Sequence, residues 1–214
     1  GAGKANGFLS DYAFLIQGLI DLYETSFETR WLAWAMELQR TQDVLFWDSA
    51  QGAYFDTTGK DSTILLRMKE DYDGAEPAPN SVAALNLQRL AQLLDSKDWH
   101  AKAQQTLGAF AGQLKSAPSA MPQMLVALDF HLDKPKQIVI AGNLQHDDVK
   151  EMLREVHKQY IPNKVILLAD GGEGQRFLSQ YTSFIQSVKM RDGKATIFIC
   201  ENYVCQLPTT DLKV

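Results

Sequence analysis

The chain has 214 residues, 45% of them hydrophobic and 22% charged, with 14 Gly and 7 Pro, a composition of folded protein that excludes disordered and collagen-like classes. Lys and Arg number 21 against 26 Asp and Glu, and a formal charge of −5 offers no basic field for a nucleic-acid partner. No apolar run approaches the roughly 20 residues of a membrane span and the N-terminus lacks a signal pattern, so the expectation is a soluble cytoplasmic protein with no membrane partner.

Up to residue 135 the apolar residues recur at helical spacing. Leu15, Ile16, Leu19, Leu22 and Tyr23 follow the i, i+3/i+4, i+7 template, and Trp31, Trp34, Ala35, Leu38, Leu45 and Phe46 continue it, which predicts two helices joined near residues 26–28. The segments around 52–56 and 64–67 flank Thr57-Thr-Gly-Lys60 and read as a small β-hairpin excursion. A second helix pair is predicted over 81–94 and 99–114, and a further helix over 121–131. A shift of 68 residues lays Leu19 on Leu87, Leu22 on Leu90, Trp31 on Trp99 and Ala35 on Ala103, the mark of a repeated αα-hairpin.

Beyond Pro135 the period changes. The β-rich runs 138–141 and 165–169 bracket a helix-like stretch over 147–160, with apolar Val149, Leu153, Val156 and Tyr160, and so predict a βαβ unit; residues 195–199 would extend its sheet. Charge divides at the same place. Residues 1–135 hold 11 basic and 17 acidic residues, whereas 136–214 hold 10 and 9. The expected fold is mainly α with a small α/β tail: a helical-hairpin domain over 1–135 and an α/β segment over 136–214.

Hairpins with one apolar face must stack, as an open solenoid or a closed ring, and two and a half of them are too few to close a ring. Alternate helices then run parallel, so the loops entering the first, third and fifth helices share one rim. Asp11-Tyr12 stands at the first, and Glu70-Asp-Tyr-Asp-Gly-Ala-Glu-Pro-Ala-Pro-Asn-Ser81 leads into the third. Paired carboxylates from Asp73, Asp11 and Glu70 could supply the protonated and ionised groups that sugar chemistry requires. Asn80 and Ser81 could add hydrogen bonds to a hydroxylated ligand. The same residues serve equally well as helix caps and a solvated acidic loop.

Other constellations point less far. The histidines (His100, His131, His146, His157) form no metal-binding pair, and neither a metal nor a cofactor is expected. Cys200 and Cys205, the only two cysteines, fit a reducing compartment and lack thioredoxin spacing. They read as buried structural thiols or as a redox pair, the latter requiring a turn near Glu201-Asn202. Gly171-Gly-Glu-Gly174 lacks the context of a phosphate loop and reads as a turn. The stripe Trp31, Trp34, Phe46 and Trp47 reads as hairpin core, leaving Trp47 and Tyr54 as stacking candidates.

Four segments carry a resemblance: Gly7-Phe-Leu-Ser-Asp-Tyr-Ala-Phe-Leu-Ile-Gln-Gly-Leu19, Leu22-Tyr-Glu-Thr25, Tyr72-Asp-Gly-Ala-Glu-Pro-Ala-Pro-Asn-Ser-Val-Ala-Ala84 and Cys200-Glu-Asn-Tyr-Val-Cys-Gln-Leu-Pro208. Their order resembles the spermatogenesis-associated protein 20 group of thioredoxin-domain-containing proteins. Ala78-Pro79 departs from the Ser-Gly more usual in that group. The resemblance implies the C-terminal part of a protein whose thioredoxin-like domain precedes a six-hairpin glycosidase-like (α/α)6 toroid, a superfamily that includes N-acylglucosamine 2-epimerase-like enzymes. It implies a carbohydrate-related role for Asp11, Tyr12, Tyr72, Asp73 and Asn80, in binding or in hydrolase or epimerase chemistry. The alternative is a non-catalytic interaction module working with the thioredoxin-like domain in thiol redox or protein quality control. Either way the toroid here is incomplete, and its exposed helical faces would meet the missing helices, the thioredoxin-like domain or a second copy of the chain.

Overall fold

The first hairpin is built by α1 (Leu9–Ser26) and α2 (Thr29–Phe46) in a computed structural model that describes residues 7–60, 63–201 and 204–211. The second comprises α3 (Pro79–Leu94) and α4 (Lys97–Ala109). The corners coincide at the 68-residue shift. Phe27 and Asp95 both turn left-handed, at φ 56° and 51°, and their N–H groups donate to Tyr23 O and Ala91 O, closing each helix with the same αL cap. Asp tolerates this conformation, whereas Phe adopts it at a cost that its buried packing against Tyr23 must offset.

The helix expected over 99–114 breaks at Phe110 into α4 and a short α5 (Ala111–Ser116). The helix that follows is α6 (Pro122–Leu132), whose proline at the first helical position needs no N–H partner. Between the hairpins no β-hairpin forms among the described residues. Trp47 and Tyr54 make a single antiparallel bridge, and the rest of the excursion is a loop held by side chains. Arg67 donates to Thr57 O, and Lys69 Nζ lies 2.8 Å from Asp48 Oδ2 and 2.6 Å from Gly52 O. Gly52 and Ala53 both have positive φ, which curls the chain instead of extending it, and Leu65 and Leu66 point to solvent rather than to a partner strand.

The tail contains β1 (Lys136–Ala141), α7 (Asp147–Lys158), β2 (Lys164–Ala169), α8 (Glu173–Ser179), β3 (Thr196–Glu201) and β4 (Val204–Cys205). Strand order is β2-β1-β3-β4, with β1 parallel to β2 and antiparallel to β3. The βαβ unit is therefore present. On α7 the buried stripe is Val149, Met152 and Val156, while Tyr160 lies beyond the helix and is 92% exposed. All residues of β1 and β2 after the first are buried, so both faces of these strands are covered, as parallel pairs require. α1 and α3 pack against β2, and a continuous core runs from Leu9 and Ile20 through Leu87 to Ile140 and Leu167. Glu24 fastens the two parts. Its Oε1 accepts the edge N–H of Ile166 at 3.0 Å and its Oε2 accepts from Arg89 at 2.7 Å. Among the described residues no helix is long and apolar enough to cross a membrane.

Candidate functional site

The rim joins the starts of α1, α3 and α6. Leu9 N–H donates to Asp56 O, Asp56 N–H donates to Met68 O, and Asp73 N–H donates to Ala120 O just before α6. These bonds gather the excursion and the acidic loop around a cleft of 530 Å³, whose walls include Phe8, Phe14, Asp56, Glu70, Asp71 and Glu76. Two aromatic rings thus face four carboxylates, a mixture suited to the apolar faces and hydroxyl groups of a sugar-like ligand.

Asp56 is the carboxylate set apart. Burial pushes its pKa up and the negative charge of Glu70 pushes the same way, opposed in part by the hydrogen bond that its Oδ1 accepts from Glu70 N–H. A carboxyl whose pKa is pushed up, beside an exposed glutamate, is the kind of pairing from which acid and base roles are built. Sequence reasoning missed Asp56 because residue 56 lies in a turn-like stretch 14 residues from Glu70, with no spacing that links them. The only available signal was an acid at the end of the aromatic run Tyr54-Phe55.

Of the residues singled out from sequence, the structure brings Glu70 to the cleft and gives the others positions elsewhere. The Asp73 carboxylate is buried and takes three backbone amides, Ala78 at 2.7 Å, Gln123 at 2.8 Å and Met124 at 3.2 Å, which closes the acidic loop and caps α6. Asp11 caps α1 by accepting Phe8 N–H at 2.8 Å. Tyr12 packs edge-on against Phe46 with ring centroids 5.4 Å apart. Tyr72 is exposed and covers Gly74, where an added Cβ would lie 3.2 Å from its ring. Asn80 is fully buried; its side chain accepts from Tyr54 N and donates to Tyr54 O, both at 2.9 Å, mimicking a strand partner. Ser81 is also fully buried, with no hydrogen-bond partner for its hydroxyl among the described residues.

The stacking candidates belong to the core. Tyr54 lies edge-on to Trp47 at 4.9 Å, is fully buried, and donates its hydroxyl to Asp43 Oδ1 at 2.6 Å. Burial, followed by the Asp43 charge, pushes its phenol pKa well up. Asp43 also accepts from Trp99 and Lys102, which ties the first hairpin to the second. Trp34 departs from the expected core stripe and is 44% exposed, because it lies on the solvent side of α2.

Cys200 and Cys205 occupy register-matched positions on β3 and β4 and form a disulfide, with Cys200 buried and Cys205 exposed. The hairpin supplies the reversal that residues five apart on one strand could not; of the turn expected near Glu201-Asn202, Asn202 lies outside the described residues. Among the described residues, no three His, Cys, Asp or Glu side chains are grouped to hold a metal.

The chain is similar to spermatogenesis-associated protein 20. It is 47% identical over 206 residues to the protein of that name from Homo sapiens and 48% identical to that from Rattus norvegicus, in each case over 96% of this chain. An uncharacterized protein of Caenorhabditis elegans is 32% identical over 97% of the chain. The chain spans about a quarter of these relatives, 26% of the mammalian proteins and 28% of the nematode one. No protein-family model matches it.

Proposed function

We propose that the rim cleft binds a polyhydroxylated, carbohydrate-type ligand and that Asp56 and Glu70 are its acid and base. The observation that carries this reading is the meeting of Asp56 and Glu70 at the edge of an open cleft, where Asp56 Oδ1 accepts Glu70 N–H and burial pushes the Asp56 pKa up. A protonated carboxyl could donate to a leaving or ring oxygen while an ionised one abstracts a proton or activates water, the division of labour that hydrolysis and epimerisation share. Asp73, Asn80 and Asp11 then act by holding the walls: their hydrogen bonds place the acidic loop, the excursion at Tyr54 and the start of α1 around the cleft.

The similarity to much longer relatives supports a C-terminal piece of such a protein, with the two hairpins and α6 forming part of an (α/α)6 toroid that other segments would complete. A second reading, an interaction module, is favoured by Phe8, Leu15 and Leu22. Leu15 and Leu22 stand seven positions apart on α1 and Phe8 just ahead of its start; they are 42%, 47% and 54% exposed, apolar surface that toroid helices, a thioredoxin-like domain or another copy of the chain would cover.

Titration of the full-length protein with a panel of mono- and disaccharides, followed by NMR and by product analysis, separates the readings. The acid and base reading expects turnover to be lost in Asp56→Asn and Glu70→Gln while both variants stay folded. A sugar bound and processed equally well by the wild type and the double variant would overturn it.

A further inference from the structure

A second cleft, of 510 Å³, lies far along the chain from the rim, at the carboxyl ends of β1 and β2. Its position follows from topology. The chain leaves β1 toward α7, and it leaves β2 toward α8 and the turn beyond, where Thr182 Oγ1 donates to Leu93 O of α3. α7 covers one face of the strands while α1 and α3 cover the other, so the two exits diverge to opposite faces. In open α/β sheets, a crevice opens where neighbouring strand exits part, and ligands bind there.

The lining has two characters. Gly142, Val188 and Met190 form an apolar wall, and Arg176 and Lys189 bring two cations to the opening. Gly142 has φ 150°, and a Cβ at this position would lie 2.5 Å from Val149 Cγ2, so glycine allows the β1 exit to lie flat against α7 beside the crevice. Four backbone amides of the β2 exit are already engaged. Gly172, Gly174 and Gln175 N–H all donate to the Asp170 carboxylate, and Gly171 N–H donates to Gln175 Oε1. A bare phosphate would therefore find no amide cradle here. What the site offers an anion is side-chain charge. Asp170, the one acid of the lining, has its oxygens committed to those amides; among the described residues Arg176 is held only by a 3.9 Å contact to the exposed Glu173, and no ion pair holds Lys189.

We propose that this crevice binds a small organic anion with an apolar body, the body against Met190 and Val188 and the charged group between Arg176 and Lys189. A volume of 510 Å³ is within the usual range for small-molecule sites, roughly 300–1,000 Å³. This site is separate from the rim cleft, and neither reading depends on the other.

The test is an NMR titration of the chain with 8-anilinonaphthalene-1-sulfonate, read at the Gly142 and Gly171 amides. Both amides should shift along one saturating curve, and benzoate and phenyl phosphate should displace the probe where inorganic phosphate at the same concentration does not. Arg176→Glu with Lys189→Glu should weaken binding about tenfold or more, which corresponds to about 1.4 kcal/mol. Met190→Ser, which leaves the charge intact, should also weaken it. Lys150→Glu with Lys158→Glu, on the surface of α7, makes the same change in net charge and should have no effect. Immobile glycine amides, equal loss in the α7 control, or displacement of the probe by inorganic phosphate would each overturn the proposal.

Discussion

In the hairpin region, buried polar side chains tie together residues far apart in the chain. Asn86 donates to Ala13 O, Gln88 to Ala127 O, and Asp43 collects Tyr54, Trp99 and Lys102. In the sheet region, ladder bonds carry most long-range pairing, and the polar caps are largely local: Asn143 reaches two residues onward and Asp170 reaches two to five. Helices satisfy their backbone internally and can meet one another only through side chains, whereas strands meet through the backbone itself. The acids, amides and tyrosines of the hairpin region are therefore in demand as structural ties, and most residues that looked like a site from sequence are used in this way.

The contrast is most exposed where the two regions join. Glu24→Ala would leave Arg89 with only the exposed Asp21 and remove the acceptor of Ile166 N–H, at an expected cost of about 3 kcal/mol in urea unfolding. Hydrogen exchange should show faster opening of β2 than of β1; equal protection of both strands would mean that the sheet does not rely on this tie. Within the hairpin region, Asn80→Ala should cost about 2 kcal/mol, because it leaves a buried N–H and C=O of Tyr54 unpaired. If Asn80 were instead a ligand-binding residue with little structural role, stability would stay near wild type while sugar binding fell.

The smallest expected effect is a pH dependence. Burial, followed by the charge of His100, holds the pKa of His131 below its ordinary value of 6.5 in the folded chain. The unfolded chain therefore binds the proton more readily, and stability should fall as pH drops through 6.5. The ring centroids of His100 and His131 stand 5.8 Å apart, so His131→Gln should flatten that fall. An unchanged pH profile in the variant would assign the dependence to other groups.

Much of the architecture could be read from pattern. Apolar spacing located the helices of both hairpins, and the 68-residue shift extends to the matched left-handed caps at Phe27 and Asp95. The change of period at Pro135 marks where β1 begins. The excursion over 52–67 misled, because aromatic and β-branched residues suggested strands while Gly52 and Ala53 turned the chain. At the rim, Glu70 was legible as part of a dense acidic run, but Asp56 was not, and nothing local distinguished the saturated Asp73 from an open carboxylate.

Sequence alone determined the periods, the breaks and the inventory of acids, since these depend on neighbours within a turn or two of backbone. Tertiary structure decided which acids remained free. Whether a carboxylate caps a helix or faces a cleft depends in part on amides as far as 14 residues away for Asp56 and 51 for Asp73, and only the folded chain brings those amides within hydrogen-bonding distance.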